Sequence, residues 1–120
     1  MRCREVVGVD PARLLVLYEE LGESEAEEVI ATAMEDLAFH LSMIDEASRI
    51  GHRSHLRLAL PEVATLAESV GLTALARVAE DLCDCVAQGD PVAEAAIMAR
   101  LNRIAERALT EVWDLDAPPA

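Results

Sequence analysis

Three histidines, three cysteines and ten basic residues, all of them arginine, are the side chains through which this chain could do chemistry. His52 and His55 stand three apart in Gly51-His52-Arg53-Ser54-His55, so a helical turn would set them on one face. Two imidazoles at that spacing begin a transition-metal site, but no third ligand is evident beside them, and no metal is expected. His40, between Leu37 and Ile44, reads as a histidine on the boundary of an apolar stripe, satisfied by a neighbour. In Cys83-x-Cys85 the two thiols would leave a helix in different directions, and Cys85 reads as a small buried apolar group. An odd number of cysteines without a framework of spacings points to reduced thiols. No nucleophile–base pair, glycine-rich phosphate loop or carboxylate pair stands out, so the chain reads as non-catalytic and without a cofactor.

The arginines are more informative. Arg49, Arg53 and Arg57, together with His52 and His55, gather positive charge in a chain whose net charge is −13. Such a cluster is neutralised either by the chain's own carboxylates or by an acidic partner surface. A second stripe, Arg100, Arg103 and Arg107, follows one flank of the last helical segment, where Glu80 or Asp84 of a neighbouring helix is expected to absorb it. The overall charge repels phosphate backbones and anionic lipid, so neither nucleic acid nor membrane is an expected partner. The segment Met1-Arg2-Cys3-Arg4-Glu5 has no apolar run of signal-peptide type, and nothing approaches ~18 consecutive apolar residues. A cytoplasmic location is expected.

The elements that position these residues are well punctuated. At 120 residues, 52% apolar but 2% aromatic, the chain can bury one core of Leu, Val, Ile and Ala, which suits closely packed helices. Asp10-Pro11 is an N-cap followed by proline at the first helical position, and Gly22 closes that short helix. Ser24 with Glu27 three residues on reads as a capping box opening a long helix, whose inward face runs Ala26, Ile30, Ala33, Leu37, Leu41, Ile44 to about Ile50. Gly51, Gly71 and Gly89 then separate helices near Ser54–Val70, Leu72–Gln88 and, after Asp90-Pro91, Pro91–Trp113. Connections of one to three residues force antiparallel neighbours. The expected fold is all-α: one domain over residues 1–120, an up-and-down antiparallel four-helix bundle with a short N-terminal helix, frayed at 1–9 and 114–120.

Pro61 breaks the pattern. In a helix interior proline loses a hydrogen bond and crowds the preceding turn, at about 3 kcal/mol. Leu56 and Leu60 nevertheless keep the inward phase of Val63 and Ala67, so one helix passing through the proline with a kink is expected. The same phase turns Ser54, Arg57, Pro61, Thr65 and Glu68 outward.

The run Pro61-Glu62-Val63-Ala64-Thr65-Leu66-Ala67-Glu68-Ser69-Val70-Gly71-Leu72, the helix Leu75-Ala76-Arg77-Val78-Ala79-Glu80-Asp81-Leu82 and the closing Gly89-Asp90 resemble histidine phosphotransfer domains. That family carries approximately His-x-Leu-Lys-Gly, then after five residues Gly and an apolar residue, then an Ala/Leu-rich helix ending in Gly-Asp. Counting back from Gly71 sets Pro61 at the phosphoacceptor histidine, Val63 at the leucine, Ala64 at the lysine and Thr65 at the glycine. Val9-Asp10-Pro11-Ala12-Arg13-Leu14 through Leu21-Gly22 resembles the family's first helix. The likeness spans residues 9 to 113, and the residues that carry the family's chemistry are missing.

The resemblance implies a bacterial-type phosphorelay module without phosphotransfer, binding a receiver domain or a histidine kinase as adaptor or inhibitor. Its contact surface would comprise Ser54, Arg57, Pro61, Ala64, Thr65 and Glu68. Two alternatives stand beside it: a structural or oligomerising helical protein, such as a homodimer, and phosphotransfer through His52, His55 or His40. His55 is six residues before Pro61, about 240° round a helix, and is not an equivalent position.

Overall fold

The computed structural model describes residues 10–116, with side chains through Thr110. Five helices occupy these residues: α1 (Pro11–Leu21), α2 (Glu23–Ile50), α3 (Arg53–Ser69), α4 (Thr73–Gln88) and α5 (Pro91–Asp116). No strand occurs among the described residues, and no helix there is long and apolar enough to cross a membrane. Helix α5 runs three residues past the expected end near Trp113. Of the stretches expected to fray, 1–9 and 114–120, residues 114–116 are instead the last of α5, and the others lie outside the described residues.

Local chemistry explains most boundaries. The Asp10 carboxylate accepts from the Ala12 N–H at 3.1 Å and caps α1, while Asp90 accepts from the Ala93 N–H at 3.2 Å and caps α5. Gly51 and Gly89 end α2 and α4 in the left-handed conformation that glycine adopts without steric cost. The expected capping box does not form. Gly22 serves both the end of α1 and the start of α2, so Ser24 and Glu27 already lie inside the helix, and no side chain caps it.

Helix α3 lies between α2 and α4, α5 packs on α4, and α1 leans on α2. Helices α2 and α5 barely meet, so the closed ring of four helices is only partly realised. The first ten residues of α5 include none that is buried; its buried face begins at Leu101 and continues through Ala105 and Ala108. Leu37, Leu60, Val63, Leu75, Leu82 and Leu101 are fully covered and form the centre of one core. No buried polar or charged side chain interrupts it among the described residues. Burying each Leu or Val contributes about 1.5–3 kcal/mol.

The start of α1 is tied to the turn between α3 and α4. The Asp10 N–H donates to the Gly71 carbonyl at 2.7 Å, and Arg13 Nε donates to the Ser69 carbonyl at 3.4 Å. Gly71 has φ +81°, and its Cα faces the Asp10 carbonyl so closely that a β-carbon would lie 2.8 Å from that oxygen.

Candidate docking surface

Helix α3 is continuous through Pro61, and the two faces separate as the apolar phase requires. Leu56, Ala59, Leu60, Val63 and Ala67 are buried, whereas Ser54, Arg57, Pro61, Thr65 and Glu68 are all exposed. Ala64 departs from the expected contact surface. It stands four residues after Leu60, shares that residue's face and is only 8% exposed, so its methyl group belongs to the core. Pro61 has no N–H to donate to the Arg57 carbonyl one turn earlier, and both residues face solvent, where water can occupy that carbonyl.

The charge around this strip is uneven. Arg49 pairs along α2 with Glu46 and, at 3.9 Å, with Asp45. Arg53 reaches across to α5, where it grips both oxygens of Glu94 and donates to the Val86 carbonyl at 3.0 Å. The hydrogen bond to Glu94 is the main reason its guanidinium holds its proton more firmly than usual. Two arginines of the basic cluster are thus neutralised internally. Arg57, in the middle of the exposed strip, makes no ion pair among the described residues. At the other end, Thr65 and Glu68 border a groove of about 490 Å³ that also receives Arg13 from α1 and its cap Asp10.

The other candidates for chemistry separate from this strip. The His52 and His55 rings meet edge to face with centroids 4.6 Å apart, and no cluster of three metal-ligating residues exists among the described residues. His40 is half-buried with its ring against Phe39. Cys85 is buried, and desolvation first, then the negative charges of Asp90 and Glu94, push its thiol above its ordinary pKa and keep it protonated. The α5 arginines correct an expectation: Arg100, Arg103 and Arg107 form no ion pair with Glu80 or Asp84, which are themselves exposed.

One surface was not anticipated. Ile50 was expected to continue the inward stripe of α2, but it is 57% exposed and joins Phe39 and Met43 on the opposite face. With Ala47, His52 and His55 these side chains line a groove of about 390 Å³ between α2 and α3. The signal was in the sequence: Phe39, Met43, Glu46 and Ile50 recur at the spacing of one helical face. Leu58, 72% exposed on α3, is a further apolar side chain turned to solvent.

The arrangement defines an all-helical protein with an exposed, proline-containing strip on a central helix and no constellation for covalent chemistry among the described residues. Comparison with protein-family models, with curated proteins and with solved structures gives no significant match.

Proposed function

We propose that this chain is a cytoplasmic signalling module of the histidine phosphotransfer type that has lost phosphotransfer and works by binding. In this reading α2 to α5 form an up-and-down bundle with α1 covering one end. The outward strip of α3, Ser54, Arg57, Pro61, Thr65 and Glu68, docks a receiver domain or a histidine kinase, and the chain acts as adaptor or inhibitor. The observation that carries the proposal is the strip itself. Pro61 stands exposed at the position that the resemblance gives to the acceptor histidine, beside an arginine that makes no ion pair among the described residues. Receiver domains surround their phosphoaccepting aspartate with carboxylates, and an unpaired guanidinium beside the docking strip complements them.

The experiment is capture of partners from native lysate by the full chain, scored for receiver domains and histidine kinases, together with phosphorylation by a generic phosphorylated receiver. The parent chain is expected to take no phosphoryl group. Pro61→His is expected to remain far below full phosphotransfer, because Ala64 and Thr65 occupy the family's lysine and glycine positions and Ala64 is buried. Robust labelling of Pro61→His would show that the neighbouring residues matter little. Labelling of the parent at His52, His55 or His40 would replace the binding reading with an active relay.

A further inference from the structure

Helix α5 carries a second concentration of positive charge, one that works against the fold. Arg103 follows Arg100 by three residues and precedes Arg107 by four, so like charges neighbour one another on one helical face. Like charges at these spacings destabilise a helix. Little on α5 offsets them. The positions one turn from Arg100 hold Ala96, Ile97 and Ile104 where a carboxylate could have paired with it. All three arginines are exposed, and none makes an ion pair among the described residues, in a chain with 23 acidic residues. With Ile104, Glu106 and Thr110 they line a groove of about 650 Å³. Ile104 is half-buried and supplies apolar surface beside the guanidinium groups. Glu106 is turned about 100° from Arg107 and makes no ion pair with it or with Arg103.

We infer that the Arg100–Arg103–Arg107 face of α5 docks an acidic helical segment of a partner protein, one with carboxylates a turn apart beside an aliphatic side chain. Charge complementarity selects this occupant. The three arginines rise about 4.5 and 6 Å from one to the next, which matches carboxylates at i, i+3 and i+7 of a helix lying alongside. Guanidinium groups hold carboxylates through paired, charge-assisted hydrogen bonds. Ile104 gives the aliphatic side chain of such a segment an apolar contact. A nucleic acid or an anionic membrane suits the groove less well. Either extends past the three arginines onto a chain of net charge −13, and Glu106 already stands in the groove. The screening length at physiological ionic strength is about 8 Å. A short acidic segment therefore feels the arginines beneath it more than carboxylates elsewhere. None of these residues belongs to the α3 strip, so this contact and receiver docking stand or fall separately.

Fluorescence anisotropy with the full chain tests it. The probe is a labelled, Ala-rich helical peptide of about 20 residues with glutamates at i, i+3 and i+7 beside a leucine. Saturable binding that weakens with added salt is expected, and a peptide with glutamine in place of glutamate should bind at least ~10-fold more weakly. Arg100→Glu and Arg103→Glu are each expected to weaken binding at least ~10-fold. Arg77→Glu makes the same charge reversal at an exposed position of α4 and is expected to stay within about 2-fold of the parent. Arg103→Gln separates binding from folding. It should lose affinity without a fall in the urea midpoint, because it removes repulsion between neighbouring arginines. Several results would overturn the inference: no saturable binding up to ~1 mM peptide, equal binding of the glutamine peptide, or equal loss in Arg77→Glu. A lowered urea midpoint for Arg103→Gln would do the same by giving the arginine a role in the fold. Single-stranded DNA binding as tightly as the glutamate peptide would assign the groove to phosphate instead.

Discussion

Gly71→Ala is expected to cost about 2–4 kcal/mol of stability. Two effects add at this position. A residue with a β-carbon held at φ +81° loses roughly 1–2 kcal/mol against glycine. The new methyl would also sit 2.8 Å from the Asp10 carbonyl oxygen and 3.2 Å from the Arg13 β-carbon. Forcing these apart strains the 2.7 Å hydrogen bond from Asp10 to Gly71, with an overpacking cost typically of 1–3 kcal/mol. Alanine stiffens the unfolded chain, which returns about 0.4–1 kcal/mol. Gly51→Ala is the matching control. Gly51 has φ +79° and nothing within 4 Å of where its β-carbon would be, so it should show the conformational cost alone. Urea unfolding of the two variants separates the effects. Equal losses would mean that α1 does not press on the α3–α4 turn.

Pro61→Ala is expected to do the opposite and raise stability by about 1–2 kcal/mol. Proline in a helix interior costs about 3 kcal/mol through the missing hydrogen bond and the clash with the preceding turn. At Pro61 the cost is lower because the freed carbonyl faces solvent, and the proline recovers part of it by restricting the unfolded chain. Its ring is exposed, so alanine removes no core packing. A gain in the urea midpoint would mark Pro61 as a residue that serves the surface at the expense of the fold, which is the behaviour of a binding position. A loss would mean that the ring stabilises α3 and would remove one reason for singling out this strip.

Much of the fold was legible because glycine and proline act through backbone geometry alone. Asp10-Pro11, Gly51, Gly89 and Asp90-Pro91 fall where the helices begin and end. Phase was equally readable over one or two turns, as Leu60, Pro61 and Val63 demonstrate. It failed over longer distance and at flanks. Ile50 follows Ile44 by six residues, about 240° of rotation, and so leaves the core that Ile44 enters. Ala64 was placed by its match to a family position rather than by its phase with Leu60. Pairing across helices was the least legible. The grip of Arg53 on Glu94, and the separation of the α5 arginines from Glu80 and Asp84, depend on how α5 sits on α4, which no spacing within one helix encodes.

The central claim is that the outward face of α3 binds a signalling partner, and calorimetric titration of a recovered receiver or kinase against four forms of the chain tests it most directly. Arg57→Glu is expected to weaken binding, more so at low salt, by reversing the positive charge of the strip, which makes no ion pair among the described residues. Thr65→Arg is expected to weaken it by placing a long side chain in the contact. Both residues are exposed, so each substitution should shift stability by only about 0.5 kcal/mol in either direction. Arg100→Glu, equally exposed but on α5, is expected to bind like the parent. Equal affinity of all four forms would contradict the account.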